Sequence, residues 1–242
     1  MSAAASLASW WESTRITGET ALFFLEGAGV TLLLIGGAMA IGLVMGTVLA
    51  SLQVYGPAWS RRLSAVYIWF FRGIPILLLI LMFHFGFYSQ LQALIERLFQ
   101  TQVRFPAFLS AVTALGLCSA AYQSQIFRGA LLSIPAGQYR AALALGFTPA
   151  GAVRGLILPQ ALRVSLPAWS NEYSILLKDS AVAFAIGCQE MMFRFKSVAA
   201  WNYKFLLMYA LAGLAYYLLT LAGVWLLMKL HQKVRFPGLA EA

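Results

Sequence analysis

Charged residues are scarce in this sequence of 242 residues. They make up 10% of it, and hydrophobic residues make up 61%, against roughly 25% and 45–50% in soluble domains. So few charges exclude an ordinary soluble domain, because too little polar surface is available to cover the apolar surface. The composition indicates an all-α membrane protein, whose helices satisfy their own backbone hydrogen bonds inside the bilayer.

Cysteine and histidine are scarce too, with two of each. Cys118 and Cys188 lie in apolar runs, where cysteine is usually a small buried hydrophobe rather than part of a disulfide or a metal site. The sequence has no G-x-x-x-x-G-K-S/T, H-E-x-x-H or G-x-S-x-G motif, which argues against a P-loop and against the common hydrolase sites. We therefore expect a chain that is not an enzyme, binds no cofactor or metal itself and takes its energy from a partner.

Five apolar runs predict about five transmembrane helices, since a spanning helix needs about 20 mostly apolar residues. They cover residues 21–52, 63–88, 107–127, 173–187 and 205–228. Arg72 and Pro75 interrupt the second run. The fourth run is the weakest, because Lys178 and Asp179 lie in its middle.

The distribution of Lys and Arg predicts the orientation, because positively charged loops stay in the cytoplasm. The segments after the first, third and fifth runs hold nine of these residues, and the segments on the other side hold six. This bias places the N-terminus outside and the C-terminus in the cytoplasm of a multi-pass membrane protein, with Trp169 at the inner interface. It also explains the net charge of +9 without nucleic-acid binding.

This topology divides the chain into three regions. Residues 1–20 are expected to form an outer or interfacial segment, residues 21–230 the transmembrane domain and residues 231–242 a cytoplasmic tail. Within the domain, residues 128–170 form a cytoplasmic loop that contains four arginines and no acidic residue. The loop is too long for a tight turn and too apolar for a disordered segment, so we expect it to fold.

Turn-forming residues predict a hairpin of two short helices joined by a glycine in this loop. Gly146 follows the helix-favouring residues 138–145, and Thr148 and Pro149 provide an N-cap and a first-turn proline. The second helix is expected to end before Pro159. Such a slim hairpin fits two roles equally well: it can enter a groove on another protein, or it can rest on lipid headgroups as an amphipathic element.

Four polar residues in or beside the fourth run are candidates for a substrate pathway, since ionisable groups at membrane depth often mark one. Glu172 and Asp179 are seven residues apart, so about 100° per residue returns them to one helix face. Asn171 and Lys178 share the adjacent face for the same reason. A zwitterionic amino acid needs an anion for its ammonium group and a cation or N–H donors for its carboxylate, and this helix offers both. The alternative is that Lys178 and Asp179 neutralise each other within the bundle.

Three more polar residues lie in the other runs. Gln123 and Gln125 in the third run are expected to line the pore or to form hydrogen bonds between helices. Arg72 in the second run is expected near the inner interface, where a long side chain can reach the headgroups.

Several motifs between residues 28 and 230 resemble those of ABC importer permeases. The segment Gly137-Gln138-Tyr139-Arg140-Ala141-Ala142, then Gly146, then Ile157-Leu158-Pro159-Gln160-Ala161-Leu162-Arg163, is similar to the EAA loop that docks on the ATPase subunit. The polar amino acid branch of the family is similar at Phe71-Arg72-Gly73-Ile74-Pro75, Ala121-Tyr122, Ile126-Phe127-Arg128-Gly129-Ala130, Ser133-Ile134-Pro135, Asn171-Glu172-Tyr173 and Leu176-Leu177-Lys178-Asp179-Ser180. Several motifs in the expected order are much more specific than one motif alone.

The resemblance implies a permease subunit of the bacterial inner membrane that moves a polar amino acid into the cytoplasm through an alternating site near mid-membrane. It implies an ATP-binding subunit dimer that carries ATP and Mg, a second permease subunit and a soluble substrate-binding protein as partners. The residues that it assigns to coupling with the ATPase are Arg140, Ala141, Ala142, Gly146, Arg154, Leu158 and Pro159.

Arg140 departs from the family pattern, because the EAA loop usually has a glutamate at this position. The charge that is expected to face a basic residue of the ATPase is therefore reversed. We hypothesise that the chain pairs with a second permease that keeps the acid, which would make the transporter a heterodimer rather than a homodimer.

Two other functions are compatible with the sequence. A standalone channel or secondary transporter for a small polar solute would need neither ATP nor a soluble partner. A non-transport assembly subunit would use its intramembrane charges for assembly alone, so that neutralising Glu172 or Asp179 would leave uptake unchanged.

Overall fold

The computed structural model describes residues 18–100 and 104–234, and all its regular elements within these ranges are helices. The α-helices are α1 (Gly18–Tyr55), α2 (Ala58–Gly73), α3 (Ile76–Leu81), α4 (Ser89–Phe99), α5 (Ala107–Ser133), α6 (Ala136–Ala144), α7 (Pro149–Ala152), α8 (Leu158–Ser180), α9 (Met191–Asn202) and α10 (Phe205–Val234). The predicted all-α fold is confirmed. Most of the predicted outer segment and of the predicted tail lies outside the described residues.

Two kinds of irregular helical turn connect some of these helices. A π-helical segment, Met82–Tyr88, joins α3 to α4, and a second one, Val153–Ile157, joins α7 to α8. A 3₁₀ segment, Ala181–Ile186, continues α8 until Gly187 ends it with φ +77°. The chain therefore stays helical, with no turn between elements, from Ile76 to Phe99 and from Pro149 to Ile186.

Four helices in the described part of the chain are long and apolar enough to cross a membrane. They are Gly18–Tyr55, Ile76–Phe99, Ala107–Ser133 and Phe205–Val234. The first, third and fourth of these correspond to the predicted runs at residues 21–52, 107–127 and 205–228.

The predicted span at residues 63–88 is wrong in its bounds, because the chain breaks at Ile74 and Pro75. Ile74 is extended, with φ −100° and ψ 132°, and α3 begins only after Pro75. The proline ring crowds the residue before it out of the helical region, and the proline nitrogen has no hydrogen to donate. The apolar span therefore starts at Ile76 and runs through the π-helical turns to Phe99.

The predicted fourth run, residues 173–187, is the second half of a longer helix. It comprises the end of α8 and the 3₁₀ segment after it. α8 contains charged residues and is not one of the four apolar spans. It nevertheless belongs to the bundle, because it packs against α5 and α10. With α8 counted, the described bundle has about the predicted number of long membrane helices.

Close packing of α1 on α5 forms the centre of the bundle. Gly42 and Gly46 of α1 face α5, and a Cβ atom on Gly42 would collide with the side-chain amide of Gln123. A Cβ atom on Gly46 would lie 3.1 Å from the backbone nitrogen of Ser124 and 3.2 Å from the carbonyl oxygen of Ala120. Small residues four apart let two membrane helices approach in this way. The residues around this contact that are no more than 2% exposed include Leu34, Ile35, Ala38, Ala111, Ala114 and Leu115.

Glu190 fixes the start of α9 to α10, and its side chain is fully buried. Its carboxylate accepts hydrogen bonds from the backbone N–H groups of Met192 at 2.7 Å and Phe193 at 2.8 Å, which caps α9. It also accepts a hydrogen bond from the Tyr216 hydroxyl of α10 at 2.6 Å. Thr31 of α1 accepts one from the Met191 backbone N–H at 3.0 Å, so α1, α9 and α10 are held together at one end of the bundle.

The contact at Gly46 predicts the effect of adding a side chain there. Gly46→Val should lower the free energy of unfolding by about 1–3 kcal/mol, the usual cost of overpacking, because the nearest atoms include backbone of α5 that cannot move aside. Thermal denaturation of the detergent-purified protein measures the change. Gly29→Val is the matched control, since a Cβ atom on Gly29 of the same helix meets nothing within 4 Å. Equal unfolding temperatures for the two variants would contradict the packing described here.

Candidate functional site

A chain of hydrogen bonds between buried polar side chains joins α1, α5 and α8 inside the bundle. The Trp169 indole N–H donates to Gln123 Oε1 at 2.7 Å, and Gln123 Nε2 donates to the Met39 carbonyl at 3.3 Å and to Ser119 Oγ at 3.0 Å. Ser119 Oγ in turn donates to Glu172 Oε1 at 2.7 Å. Gln123 is 0% exposed and Glu172 is 4% exposed. These five residues form the buried polar network, and each of its polar side chains has a partner inside the protein.

The helical repeat explains how the sequence builds this network. Ser119 and Gln123 are four residues apart on α5, so both point to the same side of that helix. Glu172 and Trp169 are three residues apart on α8 and meet them from the other side. Burying an unpaired carboxyl or amide at membrane depth would cost several kcal/mol, so the hydrogen bonds stabilise the pairing of α5 with α8.

The structure places the four predicted pathway residues of α8 on two neighbouring sides of the helix. Glu172 is turned into the bundle and Asp179 is half-buried, whereas Asn171 and Lys178 are exposed. Glu172 and Asp179 are thus less exposed than Asn171 and Lys178, as expected for two different faces of the helix. Their roles stay predictions.

The two glutamines of α5 have different surroundings. Gln123 is sealed in the buried polar network, while Gln125 is half-buried at the edge of a groove between α1, α2 and α5. Gln125 Nε2 donates to Gln53 Oε1 at 3.1 Å. The guanidinium of Arg72 lies 4.8 Å from the centre of the Tyr122 ring at the same groove.

Ser119 and Trp169 are functional candidates that the sequence did not single out. Trp169 was expected at the inner interface, but its indole lies half-buried and donates to Gln123. The i, i+4 spacing of Ser119 and Gln123 was a usable signal. The hydrogen bond between Trp169 and Gln123 joins residues 46 positions apart, and no local pattern in the sequence indicates it.

The predicted helix–glycine–helix hairpin is present at residues 136–157. α6 ends at Ala144 and Gly146 has φ +85°, a conformation that residues with a Cβ atom rarely adopt. Thr148 caps α7 by accepting a hydrogen bond from the Gly151 N–H at 3.1 Å. The Gln160 side chain donates to Gln138 Oε1 at 2.8 Å, which fastens the start of α8 to α6.

The prediction that the second hairpin helix ends before Pro159 is wrong. α7 is only Pro149–Ala152, and after the π-helical turn α8 begins at Leu158 and runs through Pro159 to Ser180. Pro159 lies in the first turn of α8, where the missing N–H is tolerated. The hairpin is therefore continuous with the helix that carries Glu172.

Most of the predicted coupling residues lie on the surface of the hairpin. Arg140, Ala141, Gly146, Arg154 and Pro159 are exposed, Leu158 is half-buried and Ala142 is buried. Next to them, the apolar side chains of Leu145 and Phe147 are 80% and 51% exposed on either side of the glycine. A protruding apolar tip of this kind marks a contact surface. Among residues 18–100 and 104–234, no three His, Cys, Asp or Glu side chains are grouped closely enough to hold a metal ion.

Comparison with known proteins identifies the family. The family described as "Binding-protein-dependent transport system inner membrane component" matches residues 38–236. The "Probable amino-acid permease protein YxeN" of Bacillus subtilis is 34% identical over 197 residues, which cover 81% of this chain and 84% of that protein. The "Arginine transport system permease protein ArtQ" of Bacillus subtilis is 34% identical over 213 residues, covering 88% and 93% respectively.

A solved structure has the same fold. The crystal structure of an amino acid ABC transporter with histidines has a chain that is 29% identical, with a TM-score of 0.73, covering 89% of this chain and 96% of that one. These matches confirm the resemblance that the motifs indicated. The chain belongs to the family of binding-protein-dependent transport system inner membrane components.

Proposed function

We propose that this permease subunit of an amino-acid ABC importer moves a polar amino acid into the cytoplasm. The observation that carries the proposal is the grouping of Glu172, Asp179 and Lys178 on the helix that continues into the hairpin. Charges of both signs at membrane depth match the two charges of an amino acid. Relatives with amino-acid and arginine permease names support the substrate class.

Asp179 and Glu172 would receive the ammonium group of the substrate in succession. Asp179 is half-buried and can be reached first, whereas Glu172 is buried and bound to Ser119. A substrate reaches Glu172 only when α5 and α8 move apart, and the ammonium group then replaces the Ser119 hydroxyl as its partner. Asn171 and Lys178 line the exposed side of this pathway, and Gln125 lies at the neighbouring groove. Gln123 holds α5 and α8 in register.

ATP hydrolysis on a separate ATP-binding subunit dimer would supply the energy, with ATP and Mg held there. The hairpin is the contact for that subunit, through the exposed residues Arg140, Gly146 and Arg154. Leu158, at the start of α8, is 14 residues from Glu172, which is about 21 Å along a helix. Because α8 has no turn in between, a displacement of the hairpin moves the charged site directly.

A second permease subunit would cover the polar side of this chain. Asn171 and Lys178 are exposed on α8, and charged side chains at this depth face protein or water rather than lipid. The reversed charge at Arg140 favours a paralogue with an acid in that position, hence a heterodimer. We place the N-terminus outside and the C-terminus in the cytoplasm, because the segments on the cytoplasmic side then hold more of the Lys and Arg residues. A soluble substrate-binding protein would bind on the outer side. The predicted division into outer segment, transmembrane domain and tail belongs to the same proposal.

Glu172→Gln should reduce ATP-dependent uptake about tenfold or more, since a charge-assisted hydrogen bond to the substrate is lost. Folding should change little, because the new amide oxygen still accepts from Ser119. Uptake into proteoliposomes that contain the whole transporter and the unfolding temperature are measured together. Glu19→Gln, which removes an exposed acid at the start of α1, is the control.

Equal loss of uptake and stability would make Glu172 a structural residue. Uptake that needs no ATP would instead identify a channel or secondary transporter.

Gly146→Val should uncouple ATP hydrolysis from transport while insertion stays normal. A β-branched residue does not adopt φ +85° without strain, so the tip of the hairpin must change shape. The ratio of amino acid taken up to ATP hydrolysed measures coupling. Gly137→Val provides a matched control, because Gly137 lies in α6 without a positive φ and with open space around it. An unaltered ratio in the first variant would count against the hairpin as coupling element.

Arg140→Glu tests the heterodimer. If this chain needs a partner permease that supplies the acid, the substitution should raise the activity of a transporter assembled from this chain and the ATP-binding subunit alone. Substrate-stimulated ATPase activity is measured for the wild-type and substituted homomers. Full activity of the wild-type homomer would refute the heterodimer, and so would an unchanged low activity after the substitution.

A further inference from the structure

An apolar groove runs along the outside of the bundle between α1, α8 and α10. Its volume is about 570 Å³, within the range of small-molecule sites. Gly36 and Ala40 of α1 and Ala222 of α10 line the groove and are exposed. Trp169 and Tyr173 of α8 line it as well. The short side chains of α1 and α10 leave a gap that an elongated group can fill.

The polar groups of the two aromatic residues are already paired inside the protein. The Trp169 N–H donates to Gln123 Oε1 at 2.7 Å, and the Tyr173 hydroxyl donates to the Leu219 carbonyl at 3.0 Å. The other lining residues are aliphatic residues, glycines and one methionine. The side chains that line the groove therefore offer no free N–H or O–H group to a ligand, which favours an apolar occupant.

The groove has the length of one leaflet of the bilayer. Its α1 side extends from Leu32 to Leu43, which is about 16 Å of helix. The hydrocarbon core is roughly 30 Å thick, so the acyl chains of one leaflet fill about half of that thickness. An extended acyl chain therefore matches the groove in length.

The groove lies on the side of α8 that is opposite to its exposed polar residues. Lys178 is nine residues after Trp169, and about 100° per residue turns it to the other side of the helix. The second permease subunit that we propose would cover the side of Lys178. The groove on the side of Trp169 then faces lipid.

Two lysines continue the groove side of α10 towards the C-terminus. Lys229 and Lys233 follow Ala222 and Leu226 by seven residues each, so at about 100° per residue they share one face with these groove residues. Both lysines are exposed, and neither takes part in the single ion pair of the described part of the chain. The Lys229 ammonium lies 3.7 Å from the centre of the Trp225 ring, and tryptophan favours the level of the headgroups. An apolar groove that leads to two exposed cations has the charge pattern that complements an anionic phospholipid.

We propose that this groove binds an anionic phospholipid, with an acyl chain against Gly36, Ala40 and Trp169 and the phosphate at Lys229 and Lys233. Basic residues at the membrane surface attract anionic headgroups. The choice of the inner leaflet rests on the proposed function, whose orientation places both lysines on the cytoplasmic side. The acyl chain packs against the indole that donates to the buried polar network, so the bound lipid stabilises the pairing of α5 with α8.

The test uses the intact complex of this chain with its permease partner and ATP-binding subunits in lipid nanodiscs. The probe is phosphatidylglycerol with brominated acyl chains, which quench the fluorescence of a tryptophan that they contact, in a background of unbrominated phosphatidylcholine. Brominated phosphatidylcholine is the probe without net charge. Trp169→Phe identifies the part of the quenching that belongs to Trp169. Basal ATPase activity and unfolding temperature show that each variant is folded.

Quenching of Trp169 should saturate with brominated phosphatidylglycerol, and half of it should need about tenfold less of this lipid than of brominated phosphatidylcholine. Gly36→Leu should abolish the saturable quenching. A Cβ atom on Gly36 meets nothing within 4 Å, so the new side chain occupies the groove without disturbing the fold. Gly29→Leu is the matched control, because Gly29 has equally open surroundings on the same helix outside the groove.

The lysines are tested by a double substitution. Lys229→Gln with Lys233→Gln should raise the amount of brominated phosphatidylglycerol that gives half of the quenching about tenfold, because both charges attract the headgroup. Arg61→Gln with Arg62→Gln removes two exposed charges from α2 and should leave this amount unchanged. Equal shifts in the two double variants would overturn the assignment of the phosphate to the lysines.

Three further results would overturn the proposal. Quenching that rises in proportion to the lipid, equally for both probes, would mean that only bulk lipid contacts the groove. Unchanged saturable quenching in Gly36→Leu would place the lipid elsewhere. Absence of Trp169 quenching by either probe would show that another subunit covers the groove. Failure of the proposed function looks different, because ATP-dependent uptake of amino acids would be absent while the saturable quenching remained.

Discussion

The hydrocarbon core of a bilayer offers no hydrogen-bond partners, and the architecture of this bundle follows from that constraint. Gln123 shows how it is met: one buried amide reaches the Met39 carbonyl of α1, Ser119 of its own helix and Trp169 of α8. The contact with the Met39 carbonyl is possible because α1 has Gly42 at the crossing point and lets α5 come close. The close packing at Gly42 and the hydrogen bonds of the buried Gln123 amide thus depend on the same contact between α1 and α5.

The same constraint supports the second permease subunit that we propose. The polar side chains of the buried polar network are paired within the bundle, but Asn171 and Lys178 are exposed on the outside of α8. Lipid cannot solvate such groups. In the proposed transporter of two permease subunits, this polar face would line a passage between them and would not contact lipid. Exposed polarity at this depth is therefore a sign of function rather than of poor packing.

Local patterns in the sequence predicted what depends on local geometry. Apolar runs predicted three of the spans, and Gly146 predicted the joint of the hairpin, where its φ is +85°. The break at Pro75 and the passage of α8 through Pro159 were missed, because the same residue type ends one helix and opens another according to its position in the turn. The link between Gln123 and Trp169 joins residues 46 positions apart, and helical periodicity tells which side a residue faces but not what it meets there.

The π-helical turn at Val153–Ile157 has a consequence for how the hairpin and the membrane site stay aligned. A π turn accommodates one residue more than an α turn, and each helical residue rotates the chain by about 100°. Removing one residue from this turn would leave the composition nearly unchanged and yet swing the tip around the axis of α8 by more than a quarter of a circle. The orientation of the hairpin relative to the proposed substrate site thus depends on a single residue. Gaining or losing that residue would turn the surface that we propose for the ATP-binding subunit in another direction.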